Sequence, residues 1–155
     1  MPPRRPPRIP GFAYRGCYRY FLTFCTFNRS HVFVEHDVVT AVLQQMLRTS
    51  DEERFAIRAY CFMRDHVHLV VEGLDDRSDL RRWVKVAKQR AAYVCRKQFG
   101  VMCLWQEGYH ERVLRSDETT GTVVRYVLNN PVRAGLVTRA EDYPFLGAQF
   151  WPEAI

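Results

Sequence analysis

The chain has 155 residues, 47% of them hydrophobic, and 23 Lys and Arg against 17 Asp and Glu, giving a formal charge of +6. That length suits one domain with its own core and is short for two. No apolar run reaches membrane-span length, and the opening MPPRRPPRIPGFAYRG lacks the apolar centre of a secretory signal, so an intracellular protein is expected.

The cysteines (Cys17, Cys25, Cys61, Cys95, Cys103) are odd in number and form no Cys-x-x-Cys. Reduced thiols, most of them in the core, are the expectation. Charge is uneven along the chain. Arg4, Arg5, Arg8, Arg15, Arg19 and Arg29 precede the first acidic residue, Glu35, and the remainder is neutral. A basic, Pro-rich arm ahead of a balanced domain fits either a polyanion partner or a solubilising tail.

Residues 1–13 read as that arm, because prolines forbid helix and sheet interior alike. A single domain is expected over 14–150. Tyr18–Phe27 (YRYFLTFCTF) is the clearest strand, and Asn28-Arg29-Ser30 breaks it. His36–Arg48 places Val38, Ala41, Val42 and Met46 on one helical face. Ala56–Met63 and His66–Glu72 read as a hairpin turning at Arg64-Asp65.

Asp79–Phe99 is the longest predicted helix, striped by Leu80, Val84, Ala87, Ala91 and Val94 and ended by Gly100. Its other side carries Arg81, Arg82, Lys85, Lys88, Arg90 and Arg96, either a nucleic-acid face or a solvated surface. Val101–Gln106 and Glu111–Arg115 are expected to be extended. Ser116 or Asp117 can cap a last helix running to Asn130, where Pro131 stops it. This order predicts an α+β fold: a ferredoxin-like or RRM-like antiparallel sheet with helices on one face and a further helix available to close the other.

Within the predicted hairpin, His66-Val67-His68 puts two imidazoles side by side on one strand face, with Val67, Leu69 and Val71 on the opposite face. Neighbouring neutral imidazoles can share a divalent ion; a wet strand face carrying two polar residues is the alternative. On the last helix, Val123, Val124, Val127 and Leu128 form the core arc. Thr122, Tyr126 and Asn130 line the adjoining edge at i, i+4, i+8.

MRDHVHLVV, LWQEGYHERVLRSDE and RYVLNNPVRAGLV, in that order, resemble the REP-associated tyrosine transposases, a group within the HUH single-tyrosine superfamily. YRGCYRYFLTFCTFNR is similar to the family's first strand, so the likeness spans roughly 14–150. It implies metal-assisted cleavage of single-stranded DNA beside a hairpin, with Tyr126 as nucleophile and a 5′-phosphotyrosine intermediate. It also implies that His66, His68 and Asn130 hold Mg²⁺ or Mn²⁺. DNA contacts are expected from Arg4, Arg5, Arg8, Arg15, Gln106, His110 and Arg133. The setting implied is the prokaryotic cytoplasm and nucleoid, with the protein a monomer or homodimer. Arg64-Asp65 departs from the Pro-Asn or Pro-Glu common in the family, a change expected to affect only the turn. The competing classes are a non-catalytic hairpin binder or repressor and an RRM-like RNA binder, which would place aromatics where this strand has histidines.

Overall fold

The structure is a computed structural model that describes residues 9–149. Five antiparallel strands form one sheet in the order β4-β1-β3-β2-β5. They are β1 (Arg19–Cys25), β2 (Phe55–Met63), β3 (His66–Gly73), β4 (His110–Leu114) and β5 (Leu146–Ala148). The helices are α1 (His36–Glu53), α2 (Leu80–Phe99), α3 (Asp117–Leu128) and the one-turn α4 (Asn130–Arg133). This is the ferredoxin-like arrangement expected from the order of the elements.

Strand alternation divides the chain between two cores. Tyr20, Leu22 and Phe24 of β1 and Val67, Leu69 and Val71 of β3 point to the α1/α2 side and are buried there. Trp83 of α2 lies under them, its indole N–H donating to Ser50 Oγ at 3.0 Å. On the opposite face, Ala59, Cys61, Met63 and Val70 pack against Val123, Val124, Val127 and Leu128 of α3. Thus α3 covers that face, with its predicted apolar arc turned to the sheet and Leu136 and Tyr143 packed beside it.

Local chemistry sets the ends of the helices. Asp79 caps α2 by accepting from Arg82 N, and Gly100 closes it with φ 68°, where a side chain would be strained. Ser116 caps α3 by accepting from Thr119 N, with Asp117 and Glu118 in the positive first turn. Helix α1 runs a turn beyond its predicted end. Thr49 and Ser50 are buried there, their hydroxyls donating back to Gln45 O and Met46 O.

Two expectations need correction, and one strand is new. Val101–Gln106 is not a strand; it makes one bridge, Thr26 to Trp105. The segment is anchored by a side chain instead: Trp105 packs on Phe24 and Phe33 and donates to Lys88 O at 3.1 Å. Pro131 does not stop the chain's helical course. It opens α4, in a first turn where a missing N–H costs nothing. And β5, not anticipated, pairs with β2; three residues are too few to show a period.

The basic side of α2 resolves towards a structural surface. Arg82 pairs with Glu53 at 2.9 Å and Arg90 with Glu52 at 2.6 Å, both acids of α1. Arg81 lies over the Tyr14 ring, and Lys88 donates inward to Gly108 O at 2.7 Å. Among the described residues, no helix is long and apolar enough to cross a membrane. Cys25, Cys61 and Cys95 are buried free thiols, while Cys17 and Cys103 are exposed.

Candidate catalytic and metal site

Register brings the site together. Cys25 faces His66 and Thr23 faces His68 across β1 and β3, so these side chains share the α3 face of the sheet. The two imidazole centroids are 4.8 Å apart. Each ring is held through Nδ1. His66 Nδ1 donates to Asp65 Oδ1 at 2.7 Å, and His68 Nδ1 is 2.8 Å from Thr23 Oγ1. Neither Nε2 has a hydrogen-bond partner among the described residues.

Electrostatics favour a lone pair at His68. Burial above all, then the nearby His66, Arg133 and Arg29, pushes its pKa down to about 3, so the ring stays neutral. Burial alone would raise the Asp65 carboxyl. Its hydrogen bonds to His66 and Arg29 outweigh that effect and hold it below the usual carboxylate range. Arg29 Nε donates to Asp65 Oδ2 at 3.0 Å.

Helix α3 delivers the tyrosine. With Val123, Val127 and Leu128 fixed on the sheet, Tyr126 falls at the margin of that contact, 49% exposed. Its ring is 6.2 Å from His68 and 6.1 Å from Phe21, which itself stacks on His68 at 5.3 Å. The Tyr126 hydroxyl makes no hydrogen bond among the described residues. The Arg133 guanidinium lies 3.9 Å from the ring centroid and donates to Tyr126 O at 2.6 Å. The same Arg133 nitrogen is 3.4 Å from Asn130 Oδ1, while Asn130 Nδ2 is buried without a hydrogen-bond partner.

The remaining predicted contacts divide by position. His110 faces Thr23 from the neighbouring strand and is exposed, and Gln106 N donates to Cys25 O at 2.9 Å, so both border the histidine end. Arg133 touches Tyr126 directly. Arg15 instead pairs with Asp79 at 3.4 Å, beyond the other end of β1 from Thr23. Arg4, Arg5 and Arg8 lie outside the described residues. Sequence reasoning missed Thr23, Asp65 and Arg29. Asp65 does more than form a turn, since its carboxylate holds a candidate ligand. Its position next to His66 was the available signal, whereas Thr23 required the strand register.

The donor chemistry fits a divalent ion in part. Two imidazoles, each oriented through Nδ1 by an oxygen, are the usual arrangement behind metal-binding Nε2 atoms. Among the described residues no group of three or more His, Cys, Asp or Glu side chains is placed to hold a metal. The Asn130 amide, next to Tyr126 and Arg133, is a donor of another type.

The family model of IS200-like transposases matches residues 16–130, which include both histidines, Tyr126 and Asn130. The chain belongs to the IS200-like transposase family. A REP-associated tyrosine transposase of Escherichia coli (strain K12) is similar to it, 29% identical over 103 residues, 64% of this chain. The match spans 58% of that relative's length. A putative REP-associated tyrosine transposase of Haemophilus influenzae is 22% identical over 86% of this chain and 85% of its own. The solved structure of a REP-associated tyrosine transposase bound to a REP hairpin superposes with a TM-score of 0.76 at 19% identity, covering 90% of this chain and 81% of that one. At that identity the likeness shows the shared fold.

Proposed function

We propose that this IS200-like family member is a metal-dependent single-stranded DNA endonuclease and strand transferase acting at hairpin, REP-like elements. The observation that carries the reading is the meeting of Tyr126, its hydroxyl unengaged, with the His66–His68 pair on one face of one chain. Relatives named for tyrosine transposition and for a REP hairpin support the substrate class.

In this reading the Tyr126 phenolic oxygen attacks phosphorus, forming a Tyr–O–P bond as the P–O3′ bond breaks. The 5′-phosphate stays on the protein, the phenolic proton passes to solvent, and the departing O3′ takes up a proton from solvent to leave as the 3′-hydroxyl. The phosphotyrosine retains the energy of the broken bond, so a DNA hydroxyl can reverse the step without a nucleotide cofactor. Phenol is a weak nucleophile near neutral pH and needs a well-aligned, charge-stabilised phosphorus. The Arg133 guanidinium lies over the tyrosine ring, and Phe21 and His68 border that ring.

His66, His68 and Asn130 are the proposed metal donors. A divalent ion there would neutralise phosphate charge and align the scissile bond. A mixed nitrogen–oxygen set suits Mn²⁺ well, while Mg²⁺ favours oxygen. His110, Gln106 and Arg133 are the proposed DNA contacts beside the site. Residues 1–13 are proposed as an arm tracking phosphates ahead of the catalytic domain.

The test is adduct formation on single-stranded hairpin DNA with Mn²⁺. A covalent protein–DNA species is expected from the wild type, and none from Y126F, H66A or H68A. Hairpin binding without any adduct, under Mg²⁺ and Mn²⁺ alike, would replace the enzyme reading with a binding protein.

A further inference from the structure

The loop after β1 is strapped to the turn that precedes the histidines. Thr26 N donates to Asp65 O at 2.9 Å, the Thr26 hydroxyl is shared between Ser30 O at 2.8 Å and Asp65 O at 3.1 Å, and Phe33 N donates to Arg64 O at 3.1 Å. Between them, Asn28 and Arg29 adopt consecutive left-handed conformations with φ of 54° and 52°. Side chains disfavour that region, and it persists where surrounding contacts fix it. Its consequence is the placement of Arg29: Nε on Asp65 Oδ2 at 3.0 Å and Nη1 on Cys25 Sγ at 2.9 Å.

The two Asp65 oxygens therefore have separate tasks. Oδ1 accepts from His66 Nδ1 at 2.7 Å, and Oδ2 is held by Arg29. A carboxylate bound on both oxygens cannot rotate away from the imidazole. A proton fixed at Nδ1 leaves the His66 lone pair at Nε2.

We propose that Asp65, locked by Arg29, is the positioning residue that fixes His66 in its metal-binding tautomer and orientation. Neither residue touches substrate or metal; both act through His66. The proposal rests on the metal reading of the site given above. In this chain an aspartate thus does the orienting work directly before the first histidine, and the strained Asn28-Arg29 turn supplies the guanidinium that secures it.

The experiment uses the full chain with ¹⁵N-labelled histidine, read first without metal and then by Mn²⁺ titration followed by electron paramagnetic resonance. Wild type should show His66 as the Nδ1–H form. D65A should mix the tautomers and weaken Mn²⁺ binding about 10- to 100-fold. D65N, which keeps an acceptor oxygen, should restore the Nδ1–H form and recover part of the affinity; it also serves if D65A does not fold. R29A should give a smaller loss in the same direction. An unchanged His66 tautomer in D65A, or unchanged Mn²⁺ affinity despite a changed tautomer, would overturn the proposal. A wild type with His66 locked as Nδ1–H that binds no Mn²⁺ would overturn the metal reading and the positioning role with it. The intact tautomer would then tell that failure apart from failure of the Asp65 contact.

Discussion

The two faces of the sheet are made by the same strands and serve different ends. Towards α1 and α2, alternate residues of β1 and β3 are large and sealed: Tyr20, Leu22, Phe24, Val67, Leu69 and Val71, with Trp83 beneath. Towards α3, the intervening residues include the polar Thr23, His66 and His68 beside Phe21 and Val70. The first face gains stability from buried area. The second pairs its polar groups with one another, Thr23 with His68 and Asp65 with His66, so that the histidine rings sit at the edge of a core with their Nδ1 atoms satisfied. A period of two along a strand is enough to separate folding from chemistry.

That separation predicts effects of opposite kind on the two faces. The largest belongs to Tyr126→Phe, which should abolish adduct formation and leave thermal unfolding almost unchanged, since the ring is half exposed and only its hydroxyl is lost. Calorimetry alongside an adduct gel checks both halves. A Tyr126→Phe protein that melts far below wild type would break the comparison. Trp83→Ala should do the reverse: about 3–5 kcal/mol of stability lost in denaturant unfolding, with whatever protein remains folded still forming the adduct.

Val127→Ala probes the contact between the faces' two roles. Val127, on the sheet-facing side of α3, is fully buried, and removing its methyl groups should cost about 1.5–3 kcal/mol. Because the same contact sets where Tyr126 stands, cleavage should slow more than the lost folded fraction explains. Loss of activity strictly in proportion to unfolding would remove α3 docking from the catalytic account. Thr23→Val keeps the side-chain shape but not the oxygen that faces His68. About a tenfold loss of Mn²⁺ affinity is expected, with about 1 kcal/mol of stability. The smallest effect is Arg82→Ala, whose exposed pair with Glu53 should be worth less than about 1 kcal/mol and leave cleavage untouched.

How far the sequence could be read follows the same division. The period-two pattern around His66-Val67-His68 and the arc of Val123, Val127 and Leu128 identified strand, helix and facing directions, because burial writes a period into the residues it covers. The split βαβ order then implied the sheet. What stayed hidden depends on contacts between distant segments. Thr23 meets His68 only through the β1–β3 register, and Arg29 reaches Asp65 only through two left-handed residues. Strand β5 was too short to show alternation, and Trp105 sits in its segment as an anchor for Lys88 O rather than as part of a ladder. Pro131 was read as a stop although a first helical turn accommodates it equally well.

The central claim is that the nucleophilic hydroxyl and the histidine pair come from one chain. It is tested most directly by mixing two inactive proteins, Tyr126→Phe and His68→Ala, and assaying adduct formation on single-stranded hairpin DNA with Mn²⁺ beside the wild type. With the wild type active, the mixture should stay inactive at every ratio, since neither chain carries both halves of the site. Adduct restored by mixing would show that the tyrosine serves a partner's histidines, and would contradict the site as assembled here.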